Sequence, residues 1–190
     1  ETTEEDLLVL SDALLTLSDS KMYIDDSGNL SVADIRSRCR RQQTRYGLDL
    51  VVIDYLGLLQ LGSKRGSLVA DIAEATRALK ILAKELQVPI MLLCQLSRGS
   101  ESRKENGYRP ILADLRDSGA IEQDADMVLL LYRKALAMRN RKDDSEYGGA
   151  PAEEIEDNTA EVIVAKNRNG PLKTVNLAFQ GMFSRFVNPS

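Results

Sequence analysis

Helical periodicity marks three long stretches of the chain. Apolar residues recur at intervals of three or four after Thr2 and Glu5, which have the spacing of a capping box. A second stretch opens at Ser31 and is closed by Gly47, and a third spans residues 67–86. The sequence therefore predicts three helices, and the apolar residues of the third lie on one side of it.

Between and after these helices lie apolar runs of strand length. The runs LDLVVIDYLGLLQL, PIMLLCQL and MVLLLYR hardly alternate, as expected of strands buried on both faces. A short strand is predicted over residues 22–25, and a helical segment around ADLRDSGAIEQDAD. The final segments TAEVIVAK, KTVNLAF and MFSRF predict an antiparallel hairpin or meander. The pattern predicts an α/β fold with a mainly parallel sheet flanked by helices and a C-terminal antiparallel hairpin.

The composition is that of one globular domain over residues 1–190. Of these residues 43% are hydrophobic and 28% charged, enough for one well-packed core. No apolar run reaches the roughly 20 residues that span a bilayer, and Cys39 and Cys94 do not make a disulfide framework. We therefore expect a cytoplasmic protein with no membrane partner. The absence of His argues against a structural zinc site.

Charge and chain ends add three expectations. The net charge of −4 argues against a generally basic nucleic-acid binder but leaves room for local basic loops. Residues 138–158 have almost no periodicity and become wholly acidic after Lys142, which predicts a mobile acidic insertion. The chain begins at Glu1 without Met and directly in a helical pattern, so we expect it to be part of a longer polypeptide.

Polar residues stand at or near the ends of the apolar strands. Asp54 lies in the first, Gln95 in the second, and Tyr132 and Arg133 close the third. Because ligands of parallel sheets bind at the carboxyl ends of strands, all four are candidate nucleotide-binding residues. A hydrophobic strand ending in Asp is the Walker B pattern, whose carboxylate holds Mg²⁺ of a nucleoside triphosphate, although a helix cap or salt bridge is commoner. The side-chain amide of Gln95 could sense the γ-phosphate, or it could make its hydrogen bonds to nearby groups of the chain.

Basic residues also gather in the loop after the second strand and in LRDSG. Arg98 shares its loop with glutamates, and Arg116 stands near the backbone N–H groups of Ser118 and Gly119. Basic side chains and small-residue amides can follow a phosphate backbone without reading bases. A solvent-facing loop of balanced charge is the alternative.

Two further cations lie in AKNRNGP. Lys166 and Arg168 are separated by one residue, so on a strand they project from the same face at its end. Two adjacent cations suit a polyphosphate, including one bound by a neighbouring subunit. A surface basic pair is the alternative.

Five segments together resemble the DnaB family of bacterial replicative DNA helicases. GLDLVVIDYL, LAKELQVPIMLLCQLSR, LADLRDSGAIEQDAD, MVLLLYR and AKNRNGP occur in that family's order and spacing, across nearly the whole chain. The combination of DLRDSGAIEQDAD with AKNRNGP is highly specific. The resemblance implies a RecA-like P-loop NTPase core with ATP and Mg²⁺ as cofactors. It also implies single-stranded DNA, a hexameric ring of identical subunits, primase and a helicase loader as partners.

The resemblance assigns roles residue by residue. Asp54 matches the Walker B aspartate, which binds the metal, and Gln95 matches the phosphate-sensing glutamine. Lys166 and Arg168 match the lysine and arginine fingers that reach the adjacent subunit's ATP site. These four are the candidate catalytic residues. The loop that grips the backbone of single-stranded DNA in the family matches Arg116, Asp117 and Gly119.

The sequence departs from the family pattern in several places. Gly57 stands where the family usually has Gln, and Asp117 replaces Glu, which preserves the charge but shortens the reach. No G-x-x-x-x-G-K-[ST] loop occurs in the 190 residues. In RecA-like sheets the strand before this loop lies between the PIMLLCQL and MVLLLYR strands. Without it, we expect those two strands to have unpaired edges.

The leading interpretation is an enzyme, the motor domain of an ATP-dependent replicative DNA helicase, with this chain alone expected to be inactive. The alternative is a non-catalytic fragment or paralogue that retains only DNA or partner binding, because the phosphate loop is missing. A recombinase or clock-type RecA relative shares the core but should lack DLRDSGAIEQDAD combined with AKNRNGP.

Overall fold

The computed structural model describes residues 3–62, 67–97, 108–139 and 158–189, without the side chains of residues 116–118, 138 and 139. Its α-helices are α1 (Glu4–Asp19), α2 (Val32–Tyr46), α3 (Leu68–Leu86), α4 (Gly119–Asp124) and α5 (Lys134–Arg139). Short 3₁₀ segments cover Leu56–Leu58, Leu112–Ser118 and Gly181–Phe183. The three long helices and the helical segment after residue 111 are those that the sequence predicts.

The strands form two separate sheets. β1 (Val51–Ile53) and β2 (Ile90–Leu92) pair in parallel. The second sheet is an antiparallel meander of β3 (Met127–Tyr132), β4 (Thr159–Asn167), β5 (Lys173–Gln180) and β6 (Arg185–Val187). Within the described residues, one edge of β2 and one edge of β3 have no strand partner. The resemblance to RecA-like sheets leads us to expect unpaired edges on these two strands.

The larger core lies between α2, α3 and the parallel pair. Its buried side chains are Ile35, Cys39, Ile53, Leu79, Leu82, Leu86 and Val88. Leu82 is the most buried of them, with 0% of its surface exposed. The buried residues of α3 recur three and four positions apart, as the sequence predicts, and each buried leucine contributes about 1.5–3 kcal/mol.

A smaller core holds the two sheets against each other. Leu115, Val128 and Leu130 form its buried centre, and Cys94 and Leu96 pack against them. Cys94 and Leu96 follow β2, whereas Val128 and Leu130 belong to β3. Side-chain packing therefore joins the sheets, although the described residues contain no strand pair between them.

Capping residues fix the starts of the first two helices. The Ser31 hydroxyl accepts from the Asp34 N–H at 3.2 Å, and the Asp34 carboxylate accepts from the Ser31 N–H at 3.0 Å. Gly47 ends α2 with a φ of 82°, where a side chain would be strained. The cap of α1 lies one residue later than predicted, because Thr3 and Asp6 make the reciprocal hydrogen bonds.

Residues 22–25 form no strand, contrary to the prediction. No described strand lies beside them to accept their backbone hydrogen bonds. They are held instead by side chains on α2. The Tyr23 ring stacks on Tyr46 with centroids 5.6 Å apart, and Asp25 pairs with Arg38.

The parallel sheet is smaller than predicted. Residues 48–61 and 89–96 contribute only the three residues of β1 and the three of β2. A strand ends where its partner stops offering hydrogen bonds, and periodicity within one run does not reveal that point. Since the antiparallel sheet is the larger one, the prediction of a mainly parallel sheet is wrong for the described residues.

β3 is buried on one face, not on both. Its even-numbered residues are buried, whereas Met127, Leu129 and Leu131 are about half exposed. β3 pairs antiparallel with β4, and alternating burial is usual for such a strand. No described element covers the other face of β3, which is why its apolar residues remain exposed.

α1 also exposes apolar side chains and has no buried residue. None of the described helices combines the length and the apolar character needed to cross a bilayer. The predicted acidic insertion lies outside the described residues, apart from residues 138 and 139 in α5 and residue 158 just before β4.

Candidate functional site

Asp54 stands at the carboxyl end of β1 with an exposed side chain. Two buried apolar residues, Ile53 and Leu56, lie on either side of it and fix the backbone. The Ile53 carbonyl accepts from the Leu93 N–H at 3.0 Å, and the Leu56 N–H donates to the Leu93 carbonyl at 2.9 Å. The peptide bond between Asp54 and Tyr55 is cis. The two hydrogen bonds to Leu93 hold the carboxylate at the edge of the sheet rather than inside the apolar strand.

Gln95 lies three residues beyond the end of β2, the strand that pairs with β1. Ile53 pairs with Leu92, so Asp54 and Gln95 follow the ends of two neighbouring parallel strands. The Gln95 side chain is exposed. A carboxylate and an amide at this edge offer the oxygen ligands and the N–H donors that a metal and a phosphate require.

The segment Leu112–Ser118 connects this edge to α4. Asp114 anchors it: its carboxylate accepts from the Ile111 N–H at 2.8 Å, and its side chain is only 2% exposed. The Asp114 carbonyl accepts from the Ser97 N–H at 2.9 Å, two residues beyond Gln95. A hydrogen bond thus joins the strand end that carries Gln95 to the segment that carries Arg116.

The remaining candidate DNA-binding residues are only partly described. Gly119 begins α4 and is exposed. The backbone of Arg116, Asp117 and Ser118 is helical, and their side chains lie outside the described part of the structure, as does the whole of Arg98. The DNA-binding assignment of these residues stays a prediction.

Lys166 and Arg168 meet at the C-terminal end of α4. Lys166 Nζ donates to the Glu122 carbonyl and lies 3.5 Å from the Gln123 carbonyl oxygen. Arg168 Nη2 donates to the same Gln123 carbonyl at 2.5 Å. The last carbonyls of a helix have no partner within it and carry partial negative charge, so cations are favourable there.

Asp126 joins the same cluster from the loop before β3. Its backbone carbonyl accepts from the Arg168 N–H at 2.9 Å, which extends the β3–β4 pairing by one residue. Its carboxylate bonds to Lys80 on α3 and lies 3.5 Å from Arg168 Nη1. The hydrogen bond from Lys80 holds the pKa of Asp126 below its usual range.

Tyr132 and Arg133 lie at the other end of β3. Lys166 pairs with Val128 whereas Glu161 pairs with Tyr132, a separation of four residues or about 14 Å. Tyr132 is buried, and burial raises the pKa of its hydroxyl. The Arg133 guanidinium lies 3.5 Å from the centroid of the Phe179 ring. The nucleotide-binding assignment of Tyr132 and Arg133 stays a prediction.

Sequence reasoning missed Asp114 and Asp126. Asp114 accepts from the backbone N–H of Ile111, whose side chain has no polar atom, so the sequence lacks the Ser, Thr, Asp or Asn that marks a capping pair. Asp126 depends on Lys80 and Arg168, each more than 40 residues away, and no local signal reveals such a contact.

Comparison with known proteins places this arrangement in a family. The model of the DnaB-like helicase C-terminal domain matches residues 1–188. The chain belongs to this family. It is 48% identical to the replicative DNA helicase DnaB of Leifsonia xyli over 172 residues, and 44% identical to the replicative DNA helicase DnaC of Bacillus subtilis over 187.

The chain superimposes with a TM-score of 0.83 on a solved structure of a DnaB-like replicative helicase. That structure was reported together with the interactions of the helicase with primase. The alignment covers 100% of this chain and 43% of the helicase, at 38% identity. The alignment with the Leifsonia relative includes 90% of this chain and 34% of that protein. The alignment with the Bacillus relative includes 98% of this chain and 38% of that protein. The chain thus spans little more than a third of these DnaB-family proteins, and the fold is RecA-like.

Proposed function

We propose that the chain is the motor domain of an ATP-dependent replicative DNA helicase. ATP hydrolysis at the interfaces between subunits would drive translocation on single-stranded DNA and unwinding of the duplex. The observation that carries the proposal is that two groups of polar side chains stand at strand ends of different sheets. Asp54 and Gln95 follow the carboxyl ends of the parallel strands, whereas Lys166 and Arg168 cluster at the amino end of β3.

This separation supports a site shared between subunits. In α/β proteins a ligand binds at the carboxyl ends of the strands, where Asp54 stands. Lys166 and Arg168 stand in the other sheet, at the end of β4, and as two adjacent cations they suit a polyphosphate that another subunit holds. Lys166 and Arg168 would enter that neighbouring site, and Arg168 would stabilise charge on the transferred phosphoryl group, an effect worth ~10³–10⁵ in rate.

Asp54 and Gln95, beyond the carboxyl ends of β1 and β2, supply some of the groups that Mg²⁺ and a nucleotide require. Mg²⁺ in such sites takes one or two carboxylates together with phosphate oxygens and water, and Asp54 offers one exposed carboxylate. Gln95 would donate its amide to a phosphate oxygen beside it. Bound ATP supplies the phosphoryl group whose transfer to water releases the free energy for movement. Tyr132 and Arg133 belong to the proposed nucleotide site, and Arg133 would first have to leave the Phe179 ring.

The segment Leu112–Ser118 is the proposed DNA contact. The buried Asp114 carboxylate fixes its start, and α4 continues from its end. Arg116 and neighbouring N–H groups would follow the phosphate backbone without reading bases. Arg98, Asp117, Ser118 and Gly119 complete the proposed surface. We further propose a hexameric ring in the cytoplasm that works with primase and a helicase loader, and the primase described with the DnaB-like neighbour supports that partner.

One observation favours the alternative function. The 190 residues contain no phosphate-binding loop, so this chain alone offers half of a nucleotide site. The unpaired edges of β2 and β3 fit one inserted strand that would bring such a loop beside Asp54. If no such strand exists, the chain would retain DNA or partner binding only.

The test is Arg168→Ala in the full-length polypeptide that carries these residues. We expect ATP turnover to fall to background while nucleotide affinity changes little, because the arginine acts on charge that develops during phosphoryl transfer. Arg185→Ala is the matched control, since Arg185 is an exposed arginine of the same sheet at β6. Turnover by steady-state kinetics and affinity by nucleotide titration are the measurements.

Normal turnover in Arg168→Ala would refute the finger assignment. The same titration separates the two candidate functions. An unmodified full-length protein that binds no ATP in the presence of Mg²⁺ would leave only the non-catalytic alternative.

A further inference from the structure

Asp126 lies between two cations that belong to different elements. Its Oδ2 accepts from Lys80 Nζ on α3, and its Oδ1 lies 3.5 Å from Arg168 Nη1. Lys80 is the most shielded of the three side chains, with 22% of its surface exposed against 55% for Asp126 and 49% for Arg168. One carboxylate oxygen is therefore held by α3 while the other faces the arginine.

Arg168 is bound to the same short segment by two further contacts. Its backbone N–H donates to the Asp126 carbonyl at 2.9 Å, and Nη2 donates to the Gln123 carbonyl at 2.5 Å. A guanidinium has five N–H donors in a rigid plane, so these contacts leave donors for a phosphate. Fixing both the backbone and the guanidinium plane sets the direction in which the remaining donors point.

We propose that Asp126 is a positioning residue for Arg168. The carboxylate, itself held by Lys80, would orient the guanidinium before it meets the phosphate of the neighbouring subunit. An arginine held in one orientation loses less freedom when it acts, and a misplacement of ~1 Å can cost ~10²-fold in rate. The proposal rests on the finger role proposed above for Arg168 and adds the residue that aligns it.

The segment that holds Arg168 also continues into the proposed DNA contact. α4 has six residues, and it directly follows Leu112–Ser118. Its C-terminal carbonyls bind both Lys166 and Arg168. A shift of α4 when DNA binds would therefore move the carbonyl that holds Arg168. Positioning through Asp126 thus predicts an effect on the stimulation of turnover by DNA.

The experiment uses Asp126→Asn in the full-length polypeptide. The amide keeps the size of the carboxylate but removes its charge. We expect kcat for ATP to fall ~10- to 100-fold, with KM changed by no more than ~2-fold, because orientation of Arg168 matters in the transition state. Stimulation of turnover by single-stranded DNA should fall with it, while DNA affinity stays unchanged. Asp126→Glu, which restores the charge, should recover part of the rate.

Asp124→Asn is the matched control. Asp124 lies two residues away, and its carboxylate accepts from the Thr76 hydroxyl at 2.7 Å and contacts no finger cation among the described residues. The substitution Asp124→Asn therefore removes one charge beside α3 and leaves Arg168 untouched. An equal loss of kcat in Asp124→Asn would overturn the proposal, because local disruption of α4 would then explain both results.

Mixed rings show whether Asp126 acts across the interface. Asp54→Asn alone should be inactive, since it lacks the proposed metal ligand but keeps its finger. Rings that mix Asp54→Asn with Asp126→Asn subunits should hydrolyse ATP faster than the sum of the rates of the two separate proteins. An intact site would form where Asp54 of one subunit meets the unaltered Arg168 and Asp126 of the other. Absence of this gain would overturn the proposal.

Arg168→Ala separates the two levels of inference. If Arg168→Ala turns over ATP normally, the proposed finger role fails and the positioning role fails with it. If Arg168→Ala is inactive while Asp126→Asn keeps normal kcat, the finger role stands and the positioning role is wrong.

Discussion

Asp25 shows how one exposed carboxylate fastens the segment that precedes α2. It accepts from the Arg38 guanidinium on that helix and from the Ser27 N–H at 3.1 Å. The hydrogen bond from Arg38, together with those from Ser27, lowers the pKa of Asp25 from 3.8 to about 2. The charged form is thus favoured in the folded state, which makes this contact dependent on pH.

Asp25→Asn should reveal that dependence. A carboxylate whose pKa is lower in the folded state adds stability above its unfolded pKa, and the contribution disappears as the pH falls through the folded value. The free energy of unfolding of the unmodified protein should therefore exceed that of Asp25→Asn at pH 6. The difference should shrink between pH 4 and pH 2. Urea denaturation across this range measures it.

Asp26→Asn is the control for that experiment, because it removes the same charge from the adjacent residue without removing the contact to Arg38. A difference between wild type and Asp25→Asn that is constant from pH 6 to pH 2 would contradict the assignment. So would an equal pH dependence in Asp26→Asn.

At the scale of elements, α2 shows why its ends could be predicted from sequence. Ser31 and Asp34 form a reciprocal cap within four residues, and Gly47 supplies the left-handed backbone at the other end. Both signals are local. The buried face of α3 could be predicted for the same reason, because its apolar residues recur with the helical period of 3.6 residues.

Ser31→Ala should lower the free energy of unfolding by about 0.5–2 kcal/mol, because the Asp34 N–H would lose its acceptor. Ser37→Ala on the same helix is the control. Ser37 is exposed in the helix interior, where alanine has the higher helix propensity, so this change should be neutral or slightly stabilising. Chemical denaturation of both variants measures their free energies of unfolding. Equal losses of stability would argue against the cap.

The order of the strands along the chain could be predicted from the sequence, but their lengths and their pairing partners could not. β1 covers only Val51–Ile53 because it pairs with β2 over those residues alone; Asp54 marks its end in the sequence, but nothing within LDLVVIDYLGLLQL marks its start. β3 was expected to be buried on both faces, yet Leu129 and Leu131 are exposed, since burial depends on what covers a face. Asp54 and Gln95 could be assigned to a candidate site because each is a polar residue in an apolar run of strand length. Asp126 required contacts from Lys80 and Arg168, which only the fold brings together.

At the scale of the whole molecule, α3 connects the parallel pair with the region around α4. Its C-terminal half packs in the core with Ile53, and it reaches α4 and the following loop through the Thr76–Asp124 and Lys80–Asp126 contacts. The Ser97–Asp114 hydrogen bond is a second connection between the same regions. The proposed nucleotide and DNA sites are therefore joined by packed side chains and hydrogen bonds, the kind of contacts that can carry coupling between them.

Arg116→Ala tests the DNA end of this connection. If Arg116 contacts a phosphate, its loss should weaken binding of single-stranded DNA by a similar factor for every base sequence, because phosphate contacts carry no sequence information. The slope of log affinity against log salt should fall by about 0.7–1, since one fewer counterion is released. Titration of several oligonucleotides at several salt concentrations, with full-length protein, measures both. Arg41→Ala removes the same charge from the exposed surface of α2 and should leave the slope unchanged. If Arg116→Ala kept the affinity and the slope of the unmodified protein, the proposed DNA contact at Leu112–Ser118 would lose its principal cation.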